Sequence, residues 1–402
     1  MVSGSTNRHS GRKDVIMQND ASPGLYVHVP FCRSRCTYCD FHVAALRPGV
    51  VSEYVAALVA EIRKYADSGF RPRTIFVGGG TPSALPIDEW KLLLSTLSDS
   101  FSGDLVEWTI EANPESICKD KIQIALGLGV DRFSTGAQTF SEKGLSLMGR
   151  RHDAERVSTV HQWFSECGVP RTSLDLIVGW PGQDLESIEV DLESVRSIDP
   201  DHISLYHLSY EAGTWLHAMR ERGGLKPLLD ESCIEYSNTF LNGLADQGYQ
   251  RYEVSNLAKR GGASLHNLNY WLRGEYLGVG SGAASFLKGK RWKNKPDVSA
   301  YISKAGKPDQ VDVEFPDSQR TMTELIMLQL RLAVGLDTRL FSELTSIDFL
   351  DVCGGSLRIF AEQGLLVQEA DRIFATDSGF DLLDSIILQF VEDVEKSWNA
   401  GT

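Results

Sequence analysis

Gly24-Leu-Tyr-Val-His-Val-Pro-Phe-Cys-Arg-Ser-Arg-Cys-Thr-Tyr-Cys39 is the stretch that decides how the chain is read. Its first half, to Phe31, alternates apolar residues as a strand entering a core does. Its second half brings Cys32, Cys36 and Cys39 within eight residues. Three thiolates this close on one loop can each hold a different iron of a four-iron, four-sulfur cluster, leaving the fourth corner open to chemistry. Structural zinc is the alternative reading; it needs a closed tetrahedral shell, and His42 could complete it. The remaining cysteines, Cys118, Cys167, Cys233 and Cys353, are scattered as core thiols usually are. A disulfide is disfavoured by the odd local count and by the lack of a recognisable secretory signal.

Outward from this loop, strand-length apolar runs recur at 24–31, 73–77, 106–111, 131–135, 171–178 and 202–208, with helical periodicity between them, as in Ser52 to Ala66 and Pro86 to Leu97. This alternation predicts an α/β fold with a parallel sheet and crossover helices, a partial (β/α)6 barrel, with a doubly wound open sheet as the alternative. Either fold places its active site at the strands' C-terminal ends. The residues found there are the Cys loop, Gly78-Gly79-Gly80-Thr81-Pro82, Glu111-Ala-Asn-Pro114, Gly136-Ala-Gln138 and Asp175. The glycine turn lets backbone approach a ligand closely. Asp175, inside an apolar strand, needs a cation or several donors; Arg150 or Arg151 would make a purely structural partner.

At 402 residues the chain exceeds the size at which one core stops growing, so two domains are expected. The reading divides it into a disordered tail over 1–22, a core domain over 23–255, a barrel extension over 256–315 and a C-terminal winged-helix-like α+β domain over 316–402. The composition is 42% apolar and 23% charged, and no apolar stretch approaches the roughly 18 residues needed to span a bilayer. A formal charge of -14 without basic clusters argues against a nucleic-acid partner, so the winged-helix-like unit is expected to serve docking. Asp14 and Asp20 in the tail argue against a transit peptide and favour a cytoplasmic location.

The Cys loop, glycine turn, Glu111-Ala-Asn-Pro, Gly136-Ala-Gln, Gly149-Arg150 and Asp175-Leu-Ile-Val-Gly resemble the radical S-adenosylmethionine (SAM) superfamily, and more narrowly its oxygen-independent coproporphyrinogen III oxidase branch. The resemblance implies that Cys32, Cys36 and Cys39 ligate a 4Fe-4S cluster and that Tyr26 packs by it. SAM chelates the open iron, and an electron from the cluster cleaves it to a 5'-deoxyadenosyl radical. The resemblance further implies that Gly79, Gly80 and Thr81 receive SAM's methionine amino group, Arg150 its carboxylate and Glu111 and Asp175 its ribose hydroxyls, with Gln138 completing the set.

Within the branch, the oxidases resemble C-x-x-C-x-C, whereas here Cys39 is followed by Asp40-Phe41, as in the heme-chaperone group. His266-Asn267-Leu-Asn-Tyr270-Trp271 matches that group's H-N-x-x-Y-W motif, with Tyr252-Glu-Val-Ser-Asn256 before it. The resemblance implies heme as a further ligand, with His266 as axial ligand and Asn267, Tyr270 and Trp271 around the porphyrin. It also implies apo-hemoprotein clients such as respiratory enzymes, an electron donor for the cluster, and peripheral contact with membrane-bound clients. A coproporphyrinogen III oxidase and, more distantly, a radical methyltransferase are the enzyme alternatives.

Overall fold

The computed structural model describes residues 23–101 and 103–401; the expected N-terminal tail lies outside them. Six parallel strands run in sequence order: β1 (Gly24–Val29), β2 (Thr74–Gly79), β3 (Glu107–Ala112), β4 (Arg132–Gln138), β5 (Arg171–Val178) and β6 (His202–His207). Helices cross between them, among them Pro48–Asp67, Ile87–Phe101 and Ala154–Cys167. The ends of these helices are written locally. Pro48 opens the first, the Asp153 carboxylate accepts from the Arg156 N–H at 2.8 Å, and Gly168 at φ 73° closes the helix after Asp153.

Parallel strands covered on both faces usually read as continuous apolar runs; these alternate instead. The register sets Leu25 beside Ile75, Ile75 beside Trp108 and Ile110 beside Phe133. These side chains face the helices and are fully buried or nearly so. The intervening residues, Tyr26, Thr74, Phe76, Glu107, Glu111, Ser134 and Asp175, turn inward and bond one another or the segment that plugs the barrel. The barrel therefore has an apolar outside and a polar inside.

Beyond β6 the chain continues the sheet on both sides. β7 (Asn256–Ala258) pairs antiparallel with β6, and β8 (Tyr276–Val279) pairs parallel with β1, Tyr26 opposite Gly278. A meander through Ala284–Leu287, Lys290–Asn294 and Gln310–Glu314 continues the sheet to twelve strands. The four residues of β8 are too few, and too interrupted by Gly278, to show periodicity; they are a strand because β1 supplies their hydrogen bonds.

The segment joining β7 to β8 crosses the N-terminal end of the barrel. There the Glu107 carboxylate meets Arg132 Nη2 at 3.1 Å and Arg171 Nη1 at 3.5 Å. It also accepts from Leu265 N at 3.1 Å, His266 N at 3.0 Å and Ser264 Oγ at 3.3 Å. Arg132 donates in turn to the carbonyls of Gly262 and Ala263. The Glu107 and Arg132 side chains are 0% and 1% exposed, so this charge pair is sealed by the turn it holds.

The C-terminal unit runs helix Ser318–Gln329, strand Leu336–Asp337, helices Thr338–Thr345 and Phe349–Glu362, then the ribbon Leu366–Glu369 with Arg372–Ala375. That is the winged-helix order, around a core of its own. It meets the barrel through Glu324, which binds Arg273 at 2.8 Å and Arg291, and through the Ala333 N–H on the Tyr252 carbonyl. Among the described residues no helix is long and apolar enough to cross a membrane.

Replacing Glu107 by Gln leaves Arg132 buried without its counter-charge. Urea unfolding should show a loss of about 3–5 kcal/mol, the range for breaking a buried pair from one side; a loss under about 1 kcal/mol would mean that the floor does not depend on it.

Candidate functional site

The cysteine loop is pinned from three sides. Residues Phe31–Cys32 pair with Ala44–Ala45, Thr37 donates from its N–H to Met148 O and from its hydroxyl to Leu147 O, and Leu216 N–H reaches Thr37 O. Tyr38 packs into the cluster of Met148, Ile177 and Trp180 beneath. Cys32 Sγ lies 3.4 Å from Thr81 Oγ1, and Cys36 Sγ accepts from Arg150 Nη1 at 3.3 Å. Burial raises the thiol of Cys32 and pushes that of Cys39 up to about 11, so both wait for a cation to displace their protons.

Among the described residues no three His, Cys, Asp or Glu side chains converge on one ion-sized point. His42 points away, its Nε2 3.0 Å from Ser281 Oγ. Zinc therefore lacks its closed shell here, whereas a cluster, whose thiolates sit on separate irons, asks for no such convergence.

The glycine turn has spent its donors. Gly79 N–H goes to Glu111 Oε2 at 3.1 Å, Gly80 N–H to Val29 O and Thr81 N–H to Phe31 O, both at 2.8 Å. What it can offer a ligand is carbonyl oxygen, which suits an ammonium group. A side chain at Gly80 would meet the backbone of Pro30 and Phe31 at 2.7 to 2.9 Å, so the close approach of turn and loop requires glycine there.

Two carboxyl groups face each other inside the mouth. Burial, then the charge of Asp175, pushes Glu111 up to about 8 against the pull of the Gly79 N–H. Burial likewise raises Asp175 to about 6, opposed by the hydroxyls of Ser204 and Ser134 and the charge of Arg150. Ser134 Oγ stands 3.0 and 3.1 Å from the two Asp175 oxygens, so Asp175 is met by donors and not by a direct arginine pair. Arg150 gives Nη2 to Gly136 O at 2.7 Å, while its buried Nε has no partner among the described residues. The Gln138 amide fills the space that a Gly136 side chain would need, beside the same guanidinium.

The structure thus brings Cys32, Cys36, Cys39, Gly79, Gly80, Thr81, Glu111, Gln138, Arg150 and Asp175 to one rim. Tyr26 lies lower, stacked on Phe76, its hydroxyl 3.0 Å from His28 Nδ1. Ser134, Ser204 and His28 were not singled out from sequence. His28 Nε2 donates to His42 O at 3.0 Å and so holds the end of the cysteine loop. The available signal was their inward place in alternating strands.

The expected heme segment is elsewhere. His266 follows the N-cap Ser264 of helix Leu265–Trp271 on the barrel floor, among the first residues of β1, β2 and β3. It is 1% exposed. Nδ1 lies 2.8 Å from Thr74 Oγ1 and Nε2 2.8 Å from Tyr270 OH, so neither nitrogen is free to ligate iron in this conformation. Burial lowers its imidazole to about 3, so it is neutral. Both nitrogens of His266 are thus spent inside a closed floor.

The radical SAM superfamily model matches residues 26–195, and the HemN C-terminal domain matches 317–382. The heme chaperone HemW of Lactococcus lactis is 31% identical, covering 92% of this chain and 97% of that protein. That of Bacillus subtilis is 33% identical over 88% and 95%. The chain belongs to the HemW family of radical SAM proteins. Among solved structures, the coproporphyrinogen III oxidase HemN of Escherichia coli shares the fold, with a TM-score of 0.79 at 23% identity over 94% of this chain and 92% of that one.

Membership of the radical SAM superfamily implies a 4Fe-4S cluster and SAM, and the rim fits both. It has three separate thiols, a turn whose backbone N–H groups at Gly79, Gly80 and Thr81 are spent, and a buried guanidinium with one unspent N–H.

Glu111 yields a pH prediction for the protein without ligands. Its carboxyl is raised from 4.5 to about 8, so the folded state keeps a proton that the unfolded chain has lost. Its contribution is fully present below about 4.5 and is lost as pH rises to about 8, by up to ~1.4 kcal/mol per pH unit. Glu111→Gln should flatten the fall in stability between about pH 5 and 8; an unchanged slope in urea unfolding would show that Glu111 does not hold this proton.

Proposed function

We propose that this chain is a heme chaperone that holds a 4Fe-4S cluster on Cys32, Cys36 and Cys39, binds SAM at the rim, and carries heme to apo-hemoproteins such as respiratory enzymes. The observation that carries the reading against the oxidase alternative is the end of the cysteine loop. Phe41 stands 60% exposed where the oxidases resemble a further cysteine, and Asp40 beside it is exposed too.

The reduced cluster supplies the electron that cleaves SAM. The protein's own groups do the rest. The carbonyls of the glycine turn accept from the methionine ammonium, and Arg150 faces the carboxylate with its unspent Nε–H. Asp175 and Glu111 accept from ribose hydroxyls, and Gln138 packs alongside. Glu111, largely protonated in the empty mouth, becomes the better acceptor once a cationic ligand arrives.

Heme ligation by His266 then requires helix Leu265–Trp271 to leave the floor, breaking the bonds to Thr74 and Tyr270. Tyr270 and Trp271 leave with it and supply aromatic area for the porphyrin. The observed affinity is the intrinsic one reduced by the fraction of protein that is open.

Two experiments test this reading. Cys36→Ala should abolish the brown iron-sulfur absorbance of the reconstituted protein; full retention would remove Cys36 from the ligand set. In an anaerobic heme titration followed at the Soret band, His266→Ala should weaken binding. Tyr270→Phe, which removes one latch worth about 0.5–1.5 kcal/mol, should tighten it about 2- to 10-fold. Binding indifferent to His266 would reject it as the ligand. Decarboxylation of coproporphyrinogen with SAM and reductant would bring the oxidase forward.

A further inference from the structure

Two loops of the rim are tied together from behind. The turn after β2 runs from Gly79-Gly80-Thr81 into the short helix Pro82–Ala84, and the loop after β3 runs from Glu111 through Asn113 and Ser116 to the helix Lys119–Gly127. The Ser83 hydroxyl lies between them, fully buried; it accepts from the Asn113 N–H at 2.9 Å and stands 2.7 Å from Ser116 Oγ.

Among the described residues Lys121 is the one buried lysine, 8% exposed. Its Nζ donates to Ser83 O at 2.6 Å and Leu85 O at 2.8 Å on the first loop, and to Ser116 O at 3.5 Å on the second. No carboxylate of those residues pairs with it. The buried ring of Trp90 walls the ammonium at 5.8 Å, and Trp90 Nε1 donates to Lys121 O at 3.2 Å.

A buried ammonium without a counter-ion costs free energy that an apolar side chain of similar length would not. An apolar side chain, however, would leave the carbonyls of two loops turned toward one point with no donor there. The ammonium has three donors and draws both loops onto itself. The separation it sets is that of two groups facing one ligand: the turn carries the free carbonyls, and β3 carries Glu111. Gly79 N–H and Glu111 Oε2 already meet across the gap at 3.1 Å.

We propose that Lys121 is a positioning residue for SAM, holding the glycine turn and the loop after Glu111 at the spacing that one SAM molecule spans. The inference rests on the SAM reading above. Lys121 acts through the two loops and stands behind them.

The test uses the full chain with reconstituted cluster, with SAM affinity measured calorimetrically and urea unfolding followed on the same samples. Lys121→Met keeps the length of the side chain and removes its donors; it should weaken SAM binding about tenfold or more, with the iron-sulfur absorbance retained. Lys121→Arg, which keeps a cationic donor, should recover most of that loss. At saturating SAM the paramagnetic signal of the dithionite-reduced cluster should differ between Lys121→Met and wild type, a readout that a role confined to folding would leave alone. Lys91→Met, an equal charge change on the exposed side of helix Ile87–Phe101, should bind SAM as the wild type does. If Lys121→Met does not fold, Ser83→Ala breaks the same tie from the other loop and should weaken SAM binding about threefold or more. Unchanged affinity in the folded variant of this pair, or an equal effect of Lys91→Met, would overturn the proposal and leave the function reading standing. A loss of stability in Lys121→Met with affinity and signal unchanged would do the same. A cluster-loaded wild-type chain that binds no SAM would defeat the function reading, and the proposal with it.

Discussion

The buried carboxylate of Glu107 is the constraint on which the rest of the structure depends. An isolated charge at 0% exposure would cost several kcal/mol, and here two arginines, two helix N–H groups and a hydroxyl offset that cost together. The donors come from both ends of the fold. Arg132 and Arg171 begin β4 and β5, whereas Ser264, Leu265 and His266 belong to the segment that has already left β6. Satisfying one side chain therefore closes the barrel floor. It also fixes where the chain re-enters the sheet, as β8 beside β1, and from there the meander and the C-terminal unit follow.

A polar inner wall has a second consequence at the opposite end. Because β3, β4 and β5 turn Glu111, Ser134 and Asp175 inward, the mouth holds two carboxyl groups that burial raises, Glu111 to about 8 with the charge of Asp175 adding to the shift and Asp175 to about 6. Such a mouth favours a ligand that brings positive charge and hydroxyl donors together. The glycine turn, with its N–H groups already spent on Val29, Phe31 and Glu111, adds backbone acceptors. Arg150 is the counterweight, tied between Cys36 and Gly136 so that it serves the cysteine loop and the ligand site at once.

Much of this was legible in the sequence because it is local. The outward residues of β1 to β6 set the strand period, and the predicted runs lie within about three residues of the observed strands. The rim residues were recognisable as the polar and glycine positions at strand ends. The floor was not legible, for a reason that is not local. Glu107 and Arg132 look like charged residues at strand starts, which ordinarily face solvent; nothing in their neighbours shows that a segment more than 120 residues later will cover them. Equally, the chain after β6 could return to either end of the barrel. The helical spacing of His266 and Tyr270 does not choose between a mouth and a floor, and Thr74 decides it from a distant strand. Helix Phe349–Glu362 of the C-terminal unit starts where Asp348 caps it by accepting from the Leu350 N–H.

The two ends of the barrel are mechanically separate but not independent of the C-terminal unit. Helix Leu265–Trp271 is followed at once by Arg273, held at φ 58° and paired with Glu324 of the C-terminal unit, which also binds Arg291 from the meander. Swinging the helix out of the floor must move Arg273, and therefore either break that pair or carry the helix Ser318–Gln329 along with it. The bonds of His266 to Thr74 and Tyr270 set the local cost of opening, while Glu324 sets whether opening is felt by the C-terminal unit. A partner that engages that unit and draws Glu324 from Arg273 would thereby lower the cost of freeing His266, and a partner that tightens the pair would raise it. Any movement of the floor helix is thus coupled to the domain interface through Glu324.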